Sequence, residues 1–87
     1  MKTRTNAGYT IIANIQLPNH EFVLGEKQIE SKEPKYVTWY CVDGTTYYHG
    51  HYIDNKNVAL RDLYERAQHE IAYRLDRLNE KIKGEKL

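Results

Sequence analysis

The chain has 87 residues, with 13 basic and 12 acidic side chains and a formal net charge of +1. This balance excludes an acidic mimic of DNA and gives no support to a general nucleic-acid binder with a large basic excess. The length allows one domain with a single core. The one cysteine, Cys41, cannot form a disulfide within the chain, and we expect it to be a small buried apolar side chain.

No run approaches the roughly 18 apolar residues of a membrane span, and the first four residues are not followed by the apolar core of a signal peptide. We therefore expect no membrane association and a cytoplasmic location. Residues 1–7 are polar and basic and are predicted to form a flexible N-terminal arm. Residues 8–84 are predicted to form a single domain, and residues 85–87 a tail.

A first β-hairpin is predicted from the N-terminal half of the chain. Apolar and polar residues alternate over residues 8–17, which indicates a strand. Pro18 and Asn19 favour a turn, and residues 21–24 follow as a short return strand. Residues 26–35 are nearly all polar and are predicted to form a flexible loop between two hairpins, long enough to serve as a contact loop.

The second hairpin is predicted more strongly than any other element. Two runs rich in aromatic and β-branched residues flank Asp43-Gly44. This pair readily takes positive φ at both central positions of a type I′ turn, which joins antiparallel strands with a two-residue loop. Such a loop pairs Val42 with Thr45 and, at the far end of the strands, Tyr36 with His51.

This register divides the second hairpin into two faces, because successive side chains of a strand point to opposite sides. One face is predicted to be buried against a helix, with the indole lying over Gly50, and comprises Val37, Trp39, Cys41, Tyr48 and Tyr52. The other is predicted to be exposed and to bind a partner, and comprises Tyr36, Thr38, Tyr40, Tyr47, His49 and His51. Tyrosine suits an interface because it buries a large area with few rotatable bonds. The alternative, that these are ordinary exposed strand residues stabilised by cross-strand pairing, stays open.

A long C-terminal helix is predicted from about residues 55–57 to Lys83, with capping residues before it and Gly84 as its stop. Its apolar stripe comprises Leu60, Leu63, Ala67, Ile71, Leu75, Leu78 and Ile82. A helix of this length spans about 40 Å and a short strand about 20 Å, so its C-terminal end should protrude beyond the sheet. That end is predicted either to form a homodimer or to bind a partner protein, with fraying as the alternative.

Together these elements predict an α+β fold. Two antiparallel β-hairpins form one four-stranded sheet (ββββ), and the sheet packs on one long C-terminal α-helix.

The sequence offers no catalytic arrangement that we can recognise. It has no nucleophile elbow, phosphate loop, HExxH helix or paired carboxylates at a telling spacing. His49 and His51 share a strand face and could reach one metal ion, but His20 and His69 have no spacing that completes a site. We therefore predict no catalytic residue, no metal site and no cofactor. A metal-dependent nuclease built from the two histidines and a tyrosine is conceivable, although no feature favours it.

Four segments taken together resemble a group of small proteins encoded by prophages and conjugative elements of Firmicutes. They are residues 8–12 (GYTII), 22–25 (FVLG), 36–39 (YVTW) and 50–52 (GHY), the last followed by the helix with Ala59-Leu60 and Asp62-Leu63. Some proteins of this size and genomic setting are anti-CRISPR inhibitors of type II effector nucleases. The resemblance implies a non-enzymatic inhibitor in the bacterial cytoplasm that binds the effector nuclease or its ribonucleoprotein. It would block guide loading, access of target DNA or a conformational step, and it carries no binding residues over to this chain.

The alternative is a small nucleic-acid-binding accessory protein that uses the aromatic Tyr/His face and the basic arm at Lys2 and Arg4. Aromatic residues on a sheet can stack unpaired bases, normally within a basic surround. The two strands of the second hairpin contain no lysine or arginine. Charge therefore favours a protein partner.

Overall fold

A computed structural model describes residues 3–85. Five antiparallel strands form one sheet in chain order: β1 (Thr5–Asn6), β2 (Tyr9–Leu17), β3 (His20–Lys27), β4 (Tyr36–Val42) and β5 (Thr46–Ile53). One helix, α1 (Lys56–Glu85), follows them. The predicted α+β fold, with two hairpins in one sheet and a long C-terminal helix, is confirmed. The fifth strand arises because residues 5–6 of the predicted arm pair with β2; residues 1–2 and 86–87 of the predicted arm and tail lie outside the described residues.

The first hairpin forms as predicted, except that its return strand, β3, runs from His20 to Lys27 rather than over residues 21–24 and includes the first two residues of the predicted loop 26–35. Leu17 pairs with His20 across the turn, and Asn19 takes a positive φ of 70°, which asparagine tolerates better than most residues. The register shifts between Ile11 and Ala13, and this bulge leaves Ile12 40% exposed.

The sheet buries side chains on both of its faces. On the helix face, α1 covers a core of Phe22, Leu24, Tyr36, Ala59, Leu63 and Ala67. On the opposite face, here called the indole face, a second core contains Tyr9, Val23, Val37, Trp39 and Cys41. The ring of Trp39 packs between Tyr9, with centroids 5.7 Å apart, and Tyr47, at 5.3 Å. Aromatic side chains thus cover the sheet on the indole face, as the helix covers it on the other face.

The predicted register of the second hairpin is wrong by one residue at the turn. Asp43 and Gly44 take the expected positive φ values of 56° and 71°, and the Thr45 amide donates to the Val42 carbonyl at 3.3 Å. Thr45 nevertheless belongs to the turn, and the strand pairing begins with Val42 opposite Thr46.

A β-bulge then shifts the register again. Thr38 pairs with His51 rather than His49, because two residues of β5, His49 and Gly50, lie opposite Trp39. His49 has a φ of 54°, and a Cβ atom on Gly50 would lie 2.8 Å from Nε1 of Trp39. The prediction that the indole lies over Gly50 is therefore confirmed, and the close contact requires glycine at this position.

The helix packs on the face of β4 that was predicted to be exposed. Tyr36 and Thr38 are buried beneath it, at 7% and 0% exposure, and Tyr40 packs at the margin of the same core. Val37, Trp39 and Cys41 are buried as predicted, although on the side away from the helix.

The helix begins and protrudes as predicted. The Val58 amide donates to Oδ1 of Asn55 at 3.0 Å, which is an N-cap hydrogen bond. Gly84 is not its stop, because α1 continues to Glu85. Its buried residues are Ala59, Leu63 and Ala67, whereas four later residues of the stripe are 45–55% exposed: Ile71, Leu75, Leu78 and Ile82. Within the described chain, no helix combines the length and apolarity needed to cross a membrane.

Replacing Gly25 by alanine tests the packing of the indole face. An added Cβ atom would lie 2.9 Å from Cβ of Tyr9 and 3.2 Å from Cγ1 of Val37, so the second core would be overpacked. We expect Gly25→Ala to lower the free energy of unfolding by about 1–3 kcal/mol, measured by urea denaturation. The control is Gly84→Ala in the helix, where an added Cβ meets nothing within 4 Å; it should raise stability by less than about 1 kcal/mol. Equal stability of Gly25→Ala and the native protein would contradict this account of the core.

Candidate functional site

The six residues predicted to form one exposed partner-binding face do not share a face. Tyr36, Thr38 and Tyr40 lie on the helix face, Tyr47 packs on the indole face, and His49 and His51 are exposed on β5. Register causes this separation: the longer turn reverses the direction of Tyr47, and the bulge at His49 reverses the alternation again. The prediction of a single exposed Tyr/His face is therefore wrong.

His51 belongs to a polar cluster that fastens the helix to the sheet. Its Nδ1 atom donates to Oδ2 of Asp62 at 2.9 Å, and the Thr38 hydroxyl donates to the same oxygen. Arg66 donates to both the carbonyl and the hydroxyl oxygen of Thr38, each at 3.0 Å. Burial by itself raises the pKa of Asp62, but these hydrogen bonds and the nearby positive charge outweigh it and hold that pKa below its usual range.

A histidine held by an aspartate can act as a general base when a nucleophile lies next to it. The hydroxyl that shares this carboxylate, that of Thr38, is fully buried and is already bonded to Asp62 and Arg66. Among residues 3–85, no group of three or more histidine, cysteine, aspartate or glutamate side chains is arranged to hold a metal ion. These hydrogen bonds connect β4 and β5 with α1, and the geometry of the cluster is that of a structural contact.

A second polar cluster anchors the N-terminal segment to the indole face. The carboxylate of Glu21 is 5% exposed and accepts from Arg4 Nη2 at 2.6 Å and from the Asn14 amide at 2.9 Å. The same guanidinium nitrogen lies 3.2 Å from the hydroxyl oxygen of Tyr47. Burial opposes ionisation of Glu21, but the hydrogen bonds from Arg4 and Asn14 outweigh it and hold the pKa of this carboxyl below its usual range. The hydroxyl of Tyr47 thus contacts Arg4 within the chain.

Cys41 lies next to this cluster and is fully buried. Burial raises the pKa of its thiol, and the neighbouring charge of Glu21 raises it further. A thiol that stays protonated is a poor nucleophile. Cys41 therefore behaves as the buried apolar side chain that the sequence predicted.

The outer side of β5 is an open edge of the described sheet, as is the outer side of β2 beyond the two residues, Tyr9 and Thr10, that pair with β1. β5 pairs with β4, and no strand among residues 3–85 pairs with its other side. Tyr48 and Tyr52 are 46% and 53% exposed and point to opposite faces of this edge, since Tyr48 pairs with Tyr40 and Tyr52 with Val37. An edge strand presents free backbone donors and acceptors, which a second strand can use.

The loop between β3 and β4 lies at the Tyr52 end of this edge. It is held at its base, where Lys27 Nζ lies 2.7 Å from Glu33 and the Tyr9 hydroxyl donates to the Pro34 carbonyl at 2.7 Å. An open cavity of about 520 Å³ lies between this loop and Asp54. Ile29, the loop's one aliphatic residue, is 78% exposed. We call Tyr48, His49 and Tyr52 of β5, together with Ile29, the edge surface.

Sequence reasoning missed two members of the edge surface. Tyr48 and Tyr52 were assigned to a buried face, whereas the last strand of a sheet has only one neighbour and its side chains stay partly exposed on both faces. Ile29 did carry a signal, because it is an isolated aliphatic residue in a polar loop.

This chain matches none of the protein families, curated proteins or solved structures with which it was compared.

Replacing Arg4 by methionine tests the anchoring cluster. The substitution keeps most of the apolar stem but leaves the Glu21 carboxylate without its cation. We expect the free energy of unfolding to fall by about 2–3 kcal/mol, less than for a fully buried pair because water reaches Arg4, as measured by urea denaturation. Adding Glu21→Gln to Arg4→Met should recover part of the loss, because it removes the unpaired charge. The control is Arg61→Met on the exposed side of α1. If Arg4→Met and Arg61→Met are equally stable, the cluster is not an anchor.

The lowered pKa values of Glu21 and Asp62 predict a pH dependence. A carboxyl with a depressed pKa in the folded state stabilises the fold above its unfolded pKa, and this contribution is lost as pH falls through the folded pKa. We expect the free energy of unfolding to decrease from about pH 6 to about pH 3. Glu21→Gln/Asp62→Asn should be less stable at neutral pH and should show a shallower decrease. The control Asp76→Asn, on the protruding helix, should keep the native slope, and parallel curves for all three proteins would disprove this origin.

Proposed function

We propose that this protein is a small non-enzymatic inhibitor from a mobile genetic element that binds a type II CRISPR effector nuclease or its ribonucleoprotein. The observation that supports binding to a protein is the edge surface, where two half-exposed tyrosines lie on a strand whose outer side pairs with no other strand of residues 3–85 and an exposed isoleucine lies in the neighbouring loop. The choice of partner rests on the resemblance carried by residues 8–12, 22–25, 36–39 and 50–52.

The edge surface suits a protein partner for two physical reasons. An extended segment of the partner can pair with the backbone of β5, which gives affinity, while Tyr48 and Tyr52 contact it from either side and give specificity. The net charge of +1 supplies little electrostatic attraction to nucleic acid. Affinity would come from aromatic burial and backbone pairing, and imitation of the DNA backbone is the least favoured mechanism of inhibition.

The nucleic-acid alternative depended on an open aromatic face. Tyr36 and Thr38 of that face are covered by α1, and neither β4 nor β5 contains a lysine or arginine. That face therefore no longer supports the nucleic-acid alternative, which a steep salt dependence of binding would reveal.

The direct test is cleavage of a target DNA by purified type II effector nucleases, with and without an excess of this protein. We expect cleavage to be lost for at least one effector. Adding the protein before guide loading, after guide loading or after target binding identifies the step that it blocks. Unchanged cleavage across several orthologues would defeat the proposed partner.

Substitutions on the edge surface test the proposed contact. We expect Tyr48→Ala/Tyr52→Ala to weaken binding to the inhibited effector by about tenfold to a hundredfold and to leave the circular dichroism spectrum unchanged, because both side chains are half exposed. The matched control is Tyr73→Ala, a 58% exposed tyrosine on the protruding helix, which should bind like the native protein. Affinity should also depend only weakly on salt. A steep fall with salt would indicate nucleic-acid binding instead, and full affinity of the double variant would place the contact elsewhere.

A further inference from the structure

The protruding part of α1 carries an apolar seam that nothing in the described chain covers. The seam consists of Ile71, Leu75, Leu78 and Ile82, which are 49%, 55%, 55% and 45% exposed. It continues the stripe that begins with the buried Leu63 and Ala67. The sheet holds the helix as far as Arg74, which donates to the Pro18 carbonyl at 2.8 Å and to Glu70 at 2.8 Å. Beyond Arg74 the seam extends past the end of the sheet.

Over its 12 residues, which are less than two heptads, the seam has the spacing of a coiled coil. Steps of four, three and four residues place the side chains alternately at the a and d positions of a heptad, with Leu75 and Ile82 at a and Ile71 and Leu78 at d. The positions that flank the seam are Ala72 and Asn79 on the e side, which are uncharged, and Arg74 and Lys81 on the g side, which are basic. We propose that this seam pairs with the same seam of a second copy of this chain, as an antiparallel two-helix coiled coil.

Net charge opposes the association of two copies only weakly. Residues 68–85 contain four acidic side chains (Glu70, Asp76, Glu80 and Glu85) and four basic ones (Arg74, Arg77, Lys81 and Lys83), so this segment has no net charge. The chain as a whole carries only +1, and long-range repulsion between copies is small. A seam that is apolar on one copy is also complementary to itself, as a two-fold symmetric interface requires.

The position of the sheet selects the antiparallel arrangement. In a parallel pair, the two sheets would meet side by side at the Arg74 end of the seam. In an antiparallel pair they lie at opposite ends, and Ile71 packs against Ile82 of the second copy while Leu75 packs against Leu78. On the e side, Ala72 then faces Asn79 of the second copy, where uncharged side chains permit close contact. On the g side, Arg74 faces Lys81 of the second copy, and the repulsion between these like charges lowers the affinity of the pair.

The area available implies a dimer of modest affinity. The seam covers 12 residues, about 18 Å of helix. Its eight side chains, each about half exposed, supply apolar area on the order of several hundred Å², which is less than the area of about 1,000 Å² that a stable specific interface buries. The dimer should therefore form in a concentration-dependent manner.

Sedimentation equilibrium of the full chain over roughly micromolar to millimolar concentrations tests the pairing. We expect a reversible monomer–dimer equilibrium. Leu75→Lys/Leu78→Lys should raise the dissociation constant at least about a hundredfold, because it places charge in the apolar layers. Both positions are half exposed, so the variant should fold, which circular dichroism checks. Tyr73→Lys, on the opposite side of the same helix, is the matched control and should dimerise normally. A monomer at every concentration, or equal dimerisation of all three proteins, would overturn the proposal.

Disulfide trapping tests the direction of the pairing. The native Cys41 is fully buried and should not interfere. Under mild oxidation, Ile71→Cys/Ile82→Cys should form covalent dimers, whereas Ile71→Cys alone should not, because the two copies of residue 71 lie about 16 Å apart in the antiparallel pair. Efficient crosslinking of Ile71→Cys alone would overturn the antiparallel arrangement. Leu75 and Leu78 are not part of the edge surface, so inhibition by Leu75→Lys/Leu78→Lys reports on the proposed function independently of the dimer.

Discussion

Covering two apolar sheet faces with one helix is the constraint on which this structure depends. Residues 21–25 of β3 are all buried, so neither side of the central strand can be left to water. α1 covers one side, and on the other Trp39 packs with Tyr9 and Tyr47 while Arg4 closes over the carboxylate of Glu21. The short strand β1 belongs to this arrangement, because its pairing with β2 places Arg4 where its side chain reaches Glu21.

The same constraint explains which predictions held. Three predictions that were correct depend on local chemistry or on element lengths, and both can be read from the sequence. These are the positions of the hairpin turns, the N-cap at Asn55 and the protrusion of α1. The choice of face cannot be read in this way, because β4 carries large apolar or aromatic residues on both sides and alternation alone cannot say which side receives the helix. The predicted register of the second hairpin was wrong for a related reason. At the bulge of β5 the indole of Trp39 lies over Gly50, and this contact between strands is not stated by local turn chemistry.

The candidate site was affected by both errors. Tyr36 and Thr38 were chosen as surface residues, but they lie under α1, where Thr38 joins Asp62 and Arg66 in a fastening between sheet and helix. Two groups of exposed apolar side chains follow from the topology. Tyr48 and Tyr52 lie on a strand with only one neighbour, and Leu75, Leu78 and Ile82 lie on a helix that is longer than the sheet supporting it.

The double-sided burial of β3 also determines where the sequence can diverge. Residues 21–25 contact a core on each side, so nearly every substitution there costs stability, and related proteins should vary little at these positions. Tyr48, Tyr52 and the residues around Ile29 contact few neighbours and can change at small cost to the fold. A protein built in this way can acquire a new binding specificity through changes in β5 and the loop between β3 and β4, while the residues of β3 stay constant.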